Sequence, residues 1–91
     1  MRVRWTVPAA GDLARIVEYI RKDDPAAARR VAQRIYEGVA MLRVFPRRGR
    51  IGLVEGTREL IFSPWPYVAV YEIFEDYVLV LRVRHTAQDW P

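Results

Sequence analysis

Residues 77–85 read YVLVLRVRH, an apolar run that ends in Arg-Val-Arg-His. Nine residues rich in Val and aromatic side chains, free of Gly and Pro, predict a β-strand over Tyr77–His85. Period-two counting puts Tyr77, Leu79, Leu81 and Val83 on one face, and Val78 and Val80 ahead of Arg82 and Arg84 on the other. A small antiparallel sheet with one wet face alternates apolar with polar, and this strand does not. Something must therefore cover both of its faces.

Working back along the chain, Glu75-Asp76 reads as a tight turn and Tyr67–Phe74 as the preceding strand. Pro64-Trp65-Pro66 makes a second turn, and Arg58–Ser63 an earlier strand. Upstream, PRRGRIGLVEGT (46–57) holds three Arg and three Gly without a period, which predicts a basic loop. Before that loop the apolar spacing is helical. Ala28, Val31, Ile35, Val39 and Leu42 form one stripe, with Asp24 as cap and Pro25 in the first turn. Ala10, Leu13, Ile16, Val17 and Ile20 form another, opened by Thr6 and Pro8, with Asp12, Arg15, Glu18 and Arg21 on the opposite side. Residues 2–6, RVRWT, alternate as a short first strand. The predicted architecture is α+β, in the order β-α-α-β-β-β: a small, mainly antiparallel sheet with a helical hairpin packed on one face.

A chain of 91 residues has room for one domain, here 1–91, with a modest core. Cysteine is absent and histidine occurs once, which excludes disulfides, thiolate chemistry and thiolate zinc sites; no metal site is expected. No leader or membrane span is readable, so a soluble cytoplasmic protein without a membrane partner is expected. The net charge is +4, and of 15 basic residues all but Lys22 are Arg. Arg forms flat bidentate contacts with phosphate and carboxylate, so the balance points to an acidic partner, nucleic acid or protein. Solvated surface arginine is the plainer explanation of the same excess.

Two helices cover one face of a sheet. The second apolar face, with Val68 and Val70 on one strand and Val78 and Val80 on the next, is expected to bind a partner protein, or else a second copy. Arg82 and Arg84 share a face, and Arg58 opens a strand of the same sheet just after Arg47, Arg48 and Arg50. If they converge they form a phosphate-binding patch. Tyr71, Trp65 and Tyr77 could stack bases, although packing accounts for each as well. His85 is the default proton donor or acceptor, or else a structural hydrogen-bonder. Nothing matches a nucleophile elbow or a P-loop. Chemistry on this chain would be proton transfer with phosphate stabilisation, as in RNA cleavage by its own 2′-hydroxyl.

Taken together, DDPAAARRVAQRI (23–35), FPRRGR (45–50), GTRELI (56–61), PYVAVYEI (66–73) and VLVLRVRHTAQDWP (78–91) resemble the RelE/ParE superfamily of bacterial toxins from type II toxin–antitoxin modules. The resemblance covers essentially the whole chain. It implies a growth-inhibiting toxin neutralised by an antitoxin that wraps it as a hetero-oligomer, with no cofactor. RelE-like members cleave mRNA in the ribosome; ParE-like members bind DNA gyrase and are not nucleases. The resemblance implies a phosphate-stabilising role for Arg58 and for Arg82 or Arg84, and a catalytic role for His85. The retained Arg cluster and His favour ribosome-dependent mRNA cleavage, a metal-independent endoribonuclease. Gyrase inhibition is the alternative, and an inactive antitoxin-binding module a third.

Overall fold

Two capped helices form the layer over the sheet, and both caps are where their sequences put them. The structure, a computed structural model, describes residues 1–87. Strand β1 (Arg2–Trp5) runs into helix α1 (Val7–Arg21), where the Thr6 hydroxyl accepts from the Ala9 N–H at 3.1 Å. Helix α2 (Pro25–Ala40) starts with the Asp24 carboxylate accepting from the Ala27 N–H at 3.0 Å. Each cap satisfies one of the amide groups that a helix start leaves unpaired. Proline in the first turn of each helix gives up an N–H that has no intrahelical partner there.

After α2 come two 3₁₀ turns, Met41–Arg43 and Pro46–Arg48, then β2 (Arg50–Ile51), β3 (Thr57–Ile61), β4 (Tyr67–Ile73) and β5 (Tyr77–His85). The sheet order is β1-β5-β4-β3-β2, with β1 parallel to β5 and every other pair antiparallel. This is the expected α+β fold with one addition. Strand β2, two residues long, comes from the stretch expected to be only a loop; a strand that short carries no period to read. Among the described residues no helix is long and apolar enough to cross a membrane.

The core lies between the helices and one face of the sheet. Val31, Ile35, Val39 and Leu42 pack there with Leu60, Phe62, Ala69, Tyr71, Val78, Val80 and Val83. Burying each of the larger side chains is worth about 1.5–3 kcal/mol, which is what holds the hairpin to the sheet.

One irregularity changes the assignment of faces. Val70 pairs with Arg82 but Tyr71 pairs with Val80, so β5 carries Leu81 as an extra residue, a β-bulge. The bulge shifts the phase of alternation midway along the strand. Val78, Val80 and Val83 all point to the helices, while Arg82 and Arg84 face the other way with Val70 and Val68. The expected partner-binding face of Val68, Val70, Val78 and Val80 is therefore corrected. Val78 and Val80 belong to the core, fully buried. Val68 and Val70 do lie on the far face, in register between Ile61 and Arg84 and between Glu59 and Arg82, yet they are only 8% and 1% exposed. Among the described residues there is no bare valine face.

Candidate functional site

Arg58 is the residue on which a phosphate site most depended, and it performs a structural task. Its Nη1 donates to the Gly49 carbonyl at 2.8 Å and, more weakly, to the Arg47 carbonyl at 3.4 Å. Beside it in register stands Tyr71, which is fully buried. The Tyr71 hydroxyl donates to the Pro46 carbonyl at 2.7 Å and accepts from the Gly49 N–H at 2.8 Å. Burial pushes its pKa up, against the opposing pull of the Gly49 hydrogen bond and the Arg58 charge, so the phenol stays neutral. Tyr71, expected to meet RNA or a target, is fully buried here with its hydroxyl engaged on both sides. Its ring is core and its hydroxyl is a clamp for the loop. Gly49 is required by the same contact, since a Cβ there would sit 2.6 Å from the Tyr71 hydroxyl and 2.8 Å from the Glu59 carbonyl.

A second cluster joins α1 to the free edge of β5. Strand β1 covers that edge only as far as Val80, where the Thr6 N–H donates to the Val80 carbonyl and the Thr6 hydroxyl to the Leu81 carbonyl. Beyond it, the Asp12 carboxylate accepts the Val83 N–H at 3.0 Å. The same carboxylate holds Arg82 through Nε at 2.7 Å and Nη2 at 2.9 Å, and Arg15 at 2.8 Å. Burial pushes the Asp12 carboxyl up. The hydrogen bond from Arg82, that from Val83 and the Arg82 charge outweigh it and bring its pKa from 3.8 down to about 2. Asp12, expected on the outer side of its helix, is buried instead.

The predicted site residues thus divide. Arg82, Arg84 and His85 do share a cleft of about 350 Å³ with Asp12, Arg15 and Tyr19. Arg58 is not among them. It is in register with Tyr71 and so lies on the helix side of the sheet, whereas Arg82 and Arg84 lie on the far side. Arg50 is also on the far side, paired with the buried Glu59 at 2.9 Å. Arg47 and Arg48 are exposed on the loop that Arg58 holds. Strand pairing places His85 beside Tyr67, whose ring it meets edge-on at 5.6 Å. The His85 Nδ1 accepts the Ala87 N–H at 3.0 Å.

The family profile described as the ParE toxin of type II toxin–antitoxin system, parDE, matches residues 3–90. The chain belongs to the ParE toxin family. It is 46% identical over 90 residues to Y4kP, a toxin-named protein of Sinorhizobium fredii, covering 99% of this chain and 93% of that one. It is 38% identical over 87 residues to Toxin RelE2 of Caulobacter vibrioides, covering 96% and 97%. Among solved structures, the chromosomal ParDE toxin–antitoxin system of P. aeruginosa superposes with a TM-score of 0.83 at 30% identity, over 93% of this chain and 95% of the other. The RelBE2 toxin–antitoxin complex of Mycobacterium tuberculosis gives 0.62 at 27% identity, over 96% and 92%.

In this ParE-family chain, reading the sequence missed Asp12, which ties the helix to the last strand. A helical wheel places Asp12 with Arg15 and Glu18, and nothing local distinguishes it from a solvated charge. Its two strongest partners lie at the far end of the chain. The clamp made by Tyr71 on Pro46 and Gly49 was equally hidden. The basic, Gly-containing loop was visible, but not what holds it in place.

Proposed function

We propose that this ParE-family protein is the toxin of a toxin–antitoxin module and stops growth by binding DNA gyrase, without cutting nucleic acid. The observation that carries this reading is the bidentate hold of buried Asp12 on Arg82, with Arg58 on the opposite side of the sheet. Cleavage of RNA through its own 2′-hydroxyl needs a base and phosphate-stabilising cations around one phosphate. Here the Asp12 carboxylate already holds Nε and Nη2 of Arg82 and offsets its charge, which weakens Arg82 as a phosphate ligand, and Arg58 lies on the opposite face of the sheet. Membership of the ParE family favours the same target. The solved relatives are toxin–antitoxin assemblies, which supports a cognate antitoxin for this chain too. With the valine face corrected, the surface best suited to it is the apolar groove of about 540 Å³ lined by Trp5, Leu13, Val17, Ala32 and Tyr36. A groove of that character takes the apolar side of a partner helix.

A second reading, ribosome-dependent mRNA cleavage, is favoured by one observation: Arg84 and His85 share the cleft with Arg82. Purified toxin assayed side by side on gyrase supercoiling and on ribosome-bound mRNA separates the two. The expected result is blocked supercoiling with intact mRNA. Cleaved mRNA with unaffected supercoiling would reverse the assignment.

A further inference from the structure

The corner between α2 and β2 is both apolar and basic. Met41, Val44 and Phe45 are 40%, 50% and 56% exposed, and Val44, Phe45 and Pro46 line an open cleft of about 610 Å³ with Arg47 and Arg48. Residues 39–54 contain four arginines, Arg43, Arg47, Arg48 and Arg50, and no acidic residue. Arg50 is neutralised by Glu59, while Arg43, Arg47 and Arg48 enter no ion pair among the described residues.

This corner is also held firmly. The N–H groups of Val44 and Phe45 both donate to the Met41 carbonyl at 3.0 Å, and the Arg48 N–H donates to the Phe45 carbonyl at 3.2 Å. Leu42 anchors one end in the core. The Tyr71 hydroxyl and the Arg58 guanidinium fix the other, through Pro46, Arg47 and Gly49. Holding a surface in shape before binding lowers the ordering cost of association.

We propose that this corner is the docking surface for the toxin's protein target, and that it receives an acidic segment carrying an apolar side chain. The inference rests on the reading of the chain as a gyrase-binding toxin and names the surface that does the binding. Charge complementarity points to the acidic segment, because Arg47 and Arg48 line the cleft and neither enters an ion pair among the described residues. The apolar members point to a protein rather than a nucleic acid. Aliphatic Met41 and Val44 gain nothing from a phosphate backbone, while Met, aromatic and Arg side chains are the types enriched at protein interfaces. Arg58 and Tyr71 become positioning residues, acting on the target only through the loop they hold.

The test measures binding of the full-length toxin to purified gyrase and, separately, to its purified antitoxin. The variants are Phe45→Ala, the double change Arg47→Ala with Arg48→Ala, and Tyr71→Phe. The first two alter exposed side chains and leave the core untouched. Each should weaken gyrase binding by at least about tenfold, the loss expected of a central interface anchor, with antitoxin affinity kept within about twofold. The arginine pair should also remove most of the salt dependence of the association rate. Tyr71→Phe should weaken gyrase binding less, through the loosened loop. Gyrase affinity unchanged in Phe45→Ala and in the arginine double variant overturns the docking surface alone. A parallel loss of antitoxin affinity overturns it too, and assigns the corner to the antitoxin. Wild-type toxin that does not bind gyrase at all overturns the functional reading, and this inference with it.

Discussion

Asp12 and Arg82 lie 70 residues apart in the chain and meet through two hydrogen bonds of 2.7 and 2.9 Å. With the Val83 N–H as a third donor, the Asp12 carboxylate closes the stretch of β5 that β1 leaves uncovered. An unpaired strand edge is a liability that folds cover or charge. Here one buried carboxylate satisfies the Val83 N–H at that edge and also holds Nε and Nη2 of Arg82.

The pH dependence of stability should report this carboxylate. Its folded pKa of about 2 lies below the ordinary 3.8. The stability it adds is therefore present above about pH 4 and lost as pH falls through about 2. A lowering of that size corresponds to about 2 kcal/mol. Asp12→Asn should be less stable than wild type by about that much at pH 7, by urea unfolding, with the gap closing between pH 4 and pH 2. A gap that stays constant across that range would mean the carboxylate's charge is not what matters.

Tyr71→Phe isolates the loop clamp from the core. The ring remains, but the Gly49 N–H and the Pro46 carbonyl lose their shared partner. Leaving buried polar groups unsatisfied costs about 1–3 kcal/mol. Hydrogen exchange of the Gly49 amide should accelerate beyond what that global loss explains, while amides of β4 follow it. Arg58→Ala should free the same loop with a smaller cost, since its guanidinium is only half-buried. Equal exchange in wild type and both variants would remove the clamp from the account.

Val80 distinguishes the corrected face from the expected one. Were it part of an exposed patch, Val80→Glu would spare the fold and weaken only the antitoxin complex. Buried against the helices, the same change puts an uncompensated charge in the core and should leave the chain unfolded by circular dichroism. Val80→Ala is the milder companion, with an expected loss of about 1–3 kcal/mol from transfer and cavity terms. A folded, soluble Val80→Glu protein would restore the uncovered valine face.

What was legible in the sequence follows from range. Thr6 with Pro8, and Asp24 with Pro25, announce both helix starts because capping is a contact over three residues. The bounds of β5 are those read from its apolar run. The faces of that strand could not be read, because a single extra residue, Leu81, reverses the alternation and leaves no mark in composition. The site misled for the same reason. Arg58, Arg82 and Tyr71 look alike as candidates until their partners, Gly49, Asp12 and Pro46, are brought beside them by the fold. Local chemistry identified the family, and long-range pairing decided which polar side chains are structural.

The central claim, that the toxin binds its target and does no proton transfer, is tested most directly by His85→Gln in a gyrase supercoiling assay. Glutamine keeps an acceptor for the Ala87 N–H but cannot titrate as imidazole does. The half-inhibitory concentration for supercoiling should stay within about twofold of wild type, with ribosome-bound mRNA intact for both. Loss of a positioned general acid or base costs about 10²–10⁴-fold in rate. A fall of that size in mRNA cleavage, measured on a wild type that does cleave, would contradict the account and return His85 to catalysis.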